Sequence, residues 1–164
     1  MRGEQMLADG AVAVAYAVFA VQSVVLAIID LRTHRLPNRI VLLGYPVAIV
    51  LFGIAALLRP DLWALGRALL AGAILFAFYL LLRMLQRGGM GGGDVKLAGV
   101  IGIMLGFAGW DAVVIGLFAG FLGGGLYSAV LLARRRANRR TAVPFGPWML
   151  LGAWVGIAAH LAGV

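Results

Sequence analysis

The chain has 164 residues, 63% of them hydrophobic and only 12% charged, and its mean hydropathy is +1.03. A soluble domain is nearer half apolar, with about a quarter of its residues charged; the composition here is that of an integral membrane protein, and the absence of cysteine excludes disulfides and thiolate metal sites. The formal charge of +8 would suggest nucleic acid in a soluble chain; here its first explanation is topological, and no nucleic-acid partner is expected.

A helix crossing the hydrocarbon needs about 20 mostly apolar residues. The first run, Ala11 to Ile29, is too long for the core of a signal peptide. Glu4 and Asp9 precede it in a polar tail and no small-residue cleavage site follows, so it reads as a retained anchor. Next come Ile40 to Leu58 and Trp63 to Leu82, then a short segment from Val95 to Gly109. Ala112 to Leu132 and Phe145 to Ala162 complete the series. The expected fold is an all-α membrane protein, a bundle of about six transmembrane helices forming one domain over residues 1–164.

The connections between these segments alternate in charge. Arg32, Arg35 and Arg39 lie between the first two, Arg83, Arg87 and Lys96 flank the third connection, and Arg134, Arg135, Arg136, Arg139 and Arg140 fill the fifth. Eleven of the fourteen basic residues therefore fall on one side, leaving Arg2, Arg59 and Arg67 on the other. The positive-inside rule puts those three loops in the cytosol and both termini outside, in a multi-pass protein of the cytoplasmic (inner) membrane. The run "RRRANRR" also suits anionic lipid headgroups, although a topological role is the simpler reading.

Of six acidic residues, Glu4, Asp9, Asp61 and Asp111 fall on the outer side, where Asp61 and Asp111 suit the caps of the helices they precede. Asp30 and Asp94 do not. Asp30 ends an unbroken apolar helix at the cytosolic edge. Asp94 follows "GGMGGG" and opens the short fourth helix, which at roughly 24 Å falls short of a core of about 30 Å. Irregular backbone at membrane depth is tolerated only beside protein or a wet cavity, so Gly91, Gly92, Gly93 and Asp94 are expected to dip into one. Each acid has an ordinary reading as well: Asp94 as a helix cap, Asp30 as an ion-pair partner of Arg32, Arg35 or Arg83. Together, two carboxylates on one side of a small bundle suit a shared site that holds one proton. Such a pair activates water as base and protonates a leaving amine as acid, which is peptide hydrolysis without a metal or cofactor. Two isolated histidines, His34 and His160, offer no metal site.

These residues resemble a known family. "GGGDVKLAG" fits the G-x-G-D motif of membrane aspartyl proteases through Gly91, Gly93 and Asp94, and Lys96 and Leu97 extend it to the longer form of the type IV prepilin peptidases. "IIDLRTHRLPNRI" is similar to that family's other active-site segment, ending in Leu36, Pro37 and Asn38, and "VPFGPWMLLGAW" resembles its final-helix signature. The resemblance implies that Asp30 and Asp94 are a catalytic pair facing the cytosol. It also implies a prepilin or pseudopilin substrate, cut between a basic leader and an apolar helix. Larger members carry a big first loop, often with paired cysteines, and also N-methylate the trimmed pilin. With a short first loop and no cysteine, this chain resembles the stand-alone form, and cleavage without methylation is expected.

The remaining features have quieter readings. The glycines before Asp94 are expected to admit an extended substrate, and Lys96 either to tune the pair, to bind the substrate's main chain or to snorkel. Pro37 and Asn38 suit the start of the second helix. Gly116, Gly120 and Gly124, with Gly152 and Gly156, form stripes for internal packing. His34, in the first cytosolic loop, is either a neighbour of the site or, the preferred reading, a solvated loop residue, and His160 reads as an interfacial one. Membrane lipid is the other expected partner, and the oligomeric state is open. The rival functions are a proton-coupled transporter and a non-catalytic pilus assembly factor.

Overall fold

A computed structural model describes residues 2–85, 90–133 and 144–163. Six helices follow one another: α1 (Arg2–Thr33), α2 (Asn38–Leu58), α3 (Leu62–Leu85), α4 (Gly92–Ala108), α5 (Trp110–Ala133) and α6 (Gly146–Ala162). No strand occurs among the described residues. Four of them, α1, α2, α3 and α5, are long and apolar enough to cross a membrane. The chain is an all-α, multi-pass membrane protein. "RRRANRR", with Arg87, lies outside the described residues.

Helix α4 is the axis of the bundle. Eleven of its seventeen residues are buried, in an unbroken run from Leu97 to Gly106 that Val95 joins from below. A helix apolar and buried on all sides is a core helix. Lipid provides no hydrophobic drive for helices to associate, so packing depends on small residues that let backbones meet. A methyl group on Gly102 would stand 2.6 Å from the Ala71 carbonyl oxygen and 2.7 Å from the Gly72 Cα, which shows how closely α3 lies on α4. The α5–α6 pair uses the same device: a Cβ on Gly152 would meet the Gly116 carbonyl at 2.5 Å. The expected internal role of these glycine stripes is what the packing displays.

Side chains from three neighbours bind the backbone of α4. Tyr16 of α1 donates to the Met104 carbonyl at 3.0 Å, and Tyr45 of α2 donates to that of Lys96 at 2.7 Å. Arg67 of α3 donates to the last carbonyls of α4, through Nε to Gly106 at 2.6 Å and Nη2 to Phe107 and Ala108 at 2.8 and 3.1 Å. The last four carbonyls of a helix have no partner within it, and here one half-buried guanidinium serves three of them.

Several boundaries differ from the sequence expectation. α1 begins at Arg2, so Glu4 and Asp9 belong to a helix and not to a tail, and Asp9 pairs with Arg59 across the α1–α2 end. α4 begins at Gly92 and ends at Ala108, where Gly109 alone joins it to α5. Glycine has low helix propensity, so Gly92 and Gly93 gave no sign that they would form a first turn. Asp61 caps α3 as expected, accepting from the Ala64 N–H at 3.1 Å. His160, expected to be merely interfacial, contacts Asp111 at 2.6 Å.

Candidate active site

The end of α1 is shaped by one residue. His34 has φ 53°, the left-handed conformation with which helices commonly close, and its N–H bonds to the Asp30 carbonyl at 2.8 Å. The chain then turns through Arg35 and Leu36 to Pro37, whose carbonyl accepts the N–H groups of Ile40 and Val41 as α2 begins. Pro37 is thus the residue just before the helix, and Asn38 its first member.

Asp30 lies in the last turn of α1, only 4% exposed. Its Oδ2 accepts the N–H of Gly146 at 3.1 Å. Gly146 is the first residue of α6, followed by Pro147, a favoured arrangement at a helix start. Sitting at the negative end of its own helix, the carboxylate is met by the positive end of another. A Cβ on Gly146 would come within 2.8 Å of that same oxygen, so the close approach requires glycine. Among the described residues Asp30 has no ion pair; Arg83, one of its candidate partners, packs its guanidinium against Gly92 instead.

Asp94 is half-buried in the first turn of α4. Gly91 occupies the capping position, and its N–H donates back to Asp94 Oδ2 at 3.1 Å. Asp94 is therefore not the N-cap expected from the sequence: it lies at the third helical position, and its side chain satisfies the N–H of the residue before the helix. Asp94 keeps a second oxygen for other partners.

Gly93 is where the two acidic segments meet. A methyl group there would stand 2.7 Å from the Leu36 Cβ and 3.2 Å from its carbonyl oxygen. The turn after α1 therefore rests directly on the first turn of α4. At the rim, Lys96 Nζ donates to Asn38 Oδ1 at 2.9 Å, joining α4 to the start of α2.

Between these segments lies a cavity of about 340 Å³, within the range of ligand sites. Asp30 and Asp94 both line it. Gly91, Gly93, Lys96 and Asn38 line it as well; Pro37 does not, and stands behind Asn38 as a backbone element. One participant was missed from sequence. The Gly146 N–H, which orients Asp30, lies in "VPFGPW", a segment singled out without a role; its signal was the glycine–proline pair opening the last helix. His34 takes the less favoured of its two readings, as a neighbour of the site: it lines the cavity.

Comparisons with known proteins identify the family. The family model described as the type IV leader peptidase family matches residues 17–129, a stretch containing both aspartates. The chain is similar to a prepilin leader peptidase/N-methyltransferase of Bacillus subtilis (strain 168), at 33% identity over 89% of this chain and 54% of that protein. Proteins of the same description from Stutzerimonas stutzeri and Pseudomonas putida are 29% and 31% identical over 80% of this chain and 45% of theirs. The chain thus spans about half the length of the curated relatives it matches. No solved structure gives a significant match. With a family model covering well over half its residues, the chain belongs to the type IV leader peptidase family.

Proposed function

We propose that this protein is an aspartic endopeptidase that removes the basic leader from prepilin or pseudopilin substrates at the cytosolic face of the membrane. The observation that carries the reading is the meeting of Asp30 and Asp94 in one cavity, each held by a backbone N–H at the start of a helix. Family membership supports the same chemistry.

One carboxylate takes a proton from a water molecule, whose oxygen attacks the scissile carbonyl. The other, protonated, supports the carbonyl oxygen and then delivers its proton to the leaving amine. Peptide and water give a leader carboxylate and a new amino terminus. The Gly146 and Gly91 N–H groups set the direction of the two carboxylates, and pre-oriented groups are what such a step requires. Lys96 and Asn38 hold the rim, and His34 lines the cavity. No metal takes part in this scheme.

Six crossings, with both termini outside, follow from the charge asymmetry of the loops. α4 and α6, at 17 residues each, measure about 25 Å. They suit a bundle whose cytosolic end is indented around the two acids.

The test is coexpression with a prepilin-like precursor carrying a basic leader and an apolar helix, read by the mass of the product. Loss of the leader mass is expected, and a precursor left at full mass would overturn the reading. A transporter or a non-catalytic assembly factor would leave the precursor intact.

A further inference from the structure

Among the described residues that line the two-aspartate cavity, Leu36 alone has an apolar side chain; the others are charged, polar or glycine. The turn that presents it is fixed on both sides. His34 closes α1 in the left-handed conformation, and a proline at position 37 biases Leu36 itself toward extended backbone. The side chain is half-buried and packs against the core of the bundle.

Leu36 touches the starts of both helices that hold the acids. On one side lies Gly93, next to Asp94. A Cβ there would stand 2.7 Å from the Leu36 Cβ and 3.2 Å from its carbonyl oxygen. On the other side lies Gly146, whose N–H holds Asp30. A Cβ there would stand 3.4 Å from Leu36 Cδ1 and 2.8 Å from Asp30 Oδ2. The near end of the side chain thus rests on α4, and its far end reaches α6 beside the Asp30 carboxylate.

We propose that Leu36 is a positioning residue for the carboxylate pair: spanning from Gly93 to Gly146, it sets how far Asp94 stands from Asp30. This rests on the peptidase reading above and adds what fixes its geometry. The acids do not fix it themselves. Asp30 is bound to α6 and Asp94 to the residue before α4, and among the described residues no hydrogen bond joins one carboxylate to the other. Packing has to supply the distance, and a close-packed interior transmits such contacts.

The distance matters because two carboxylates share one proton only while each feels the other's charge. Their repulsion separates the pH values at which the first and second protons leave, so the width of the pH–rate profile reports their spacing. The charged neighbours of the pair are His34 and Arg35 on the turn, Lys96 on α4 and, against Gly92, the Arg83 guanidinium of α3. α2 brings the uncharged Asn38, and α6 the Gly146 N–H. A change at Leu36 substitutes none of these, so a limb that belonged to His34 would keep its place.

The test uses the full chain in lipid vesicles and a precursor with a basic leader and an apolar helix that the wild type cleaves. Leu36→Ala keeps the Cβ that rests on Gly93 and removes the branch that reaches Gly146. Its kcat should fall about tenfold with KM within about twofold, because misplacing reacting groups by about 1 Å costs up to about a hundredfold. The two limbs of its kcat–pH profile should move toward each other. Leu36→Met, of similar volume and reach, should recover most of the rate and the wild-type width. If Leu36→Ala does not fold, Leu36→Val shortens the same branch and carries the same expectation. Leu122→Ala, on the exposed face of α5, should behave as wild type. A shortened Leu36 with the wild-type profile overturns the positioning role. A shift of both limbs in one direction does so too, since Leu36 would then only keep water from the acids, and so does a methionine variant as slow as the alanine one. In each case cleavage by the wild type leaves the peptidase reading in place; a wild type that cleaves no such precursor removes both.

Discussion

In the proposed mechanism Asp94 serves two purposes with two oxygens, one bound to the Gly91 N–H at the start of α4 and the other left for the chemistry. Asp30 likewise accepts the first N–H of α6, from Gly146. Both Asp30→Asn and Asp94→Asn should abolish precursor processing while changing thermal stability little, because the amide oxygen still accepts either N–H. Processing by either variant at normal expression would sink the two-carboxylate mechanism. Glycine provides a sharper contrast at the same scale. Gly93→Ala drives a methyl into the Leu36 Cβ and backbone, 2.7 Å and 3.2 Å away, and should reduce kcat at least tenfold by parting the two segments. Gly92→Ala meets only the end of the Arg83 side chain, which can swing aside, so its kcat should stay within about threefold of wild type. Equal effects of the two substitutions would show that contact with Leu36 does not hold the site together.

Among the elements, α4 decides most. It is short and buried, and it ends where Arg67 meets its carbonyls. Arg67→Met keeps the aliphatic packing and removes the donors to Gly106, Phe107 and Ala108. Hydrogen bonds from a charged group contribute about 1.5–3 kcal/mol, so detergent-solubilised protein should unfold several degrees lower. An unchanged melting temperature would mean that water already serves those carbonyls. Gly102→Ala attacks the other restraint, the α3–α4 contact, where backbone atoms of Ala71 and Gly72 cannot move independently. Overpacking of that kind costs about 1–3 kcal/mol. If Gly102→Ala were as stable as wild type, α3 would have to be free to shift away from α4.

Over the whole molecule, the charge asymmetry and the cavity make one joint statement: the basic side and the two-aspartate side coincide. The lack of cysteine permits a direct check. A cysteine replacing Arg35, exposed at the cavity, should react with a membrane-impermeant thiol reagent only from the cytosolic side. One replacing Asp61, in the turn between α2 and α3, should react only from outside. Labelling of both from one side would require a different topology. Activity of purified protein should also survive chelators, and loss reversed by a divalent ion would move the chemistry to a carboxylate-bound metal.

The membrane class, the six helical segments and the two unusual aspartates were all legible from the sequence. Hydropathy and formal charge are properties of local stretches, and a nonpolar solvent leaves the backbone few ways to satisfy itself. Local information stopped at the ends of helices. The first turn of α4 is built of glycines whose intrinsic preference argues against helix, and the Gly91–Asp94 cap with the Leu36 contact overrides it. Whether Asp30 faced an arginine or a backbone N–H depended on where α6 begins, more than a hundred residues away in the chain. His34 entered the cavity because its left-handed conformation turns the chain back over Gly93. Arg67, counted with the outer-side charges, gave no sign that it would meet the last carbonyls of α4. Each of these is a contact between distant segments, chosen by how closely glycine and alanine let helices approach. Only the assembled bundle decides such distances, because no segment by itself contains both partners.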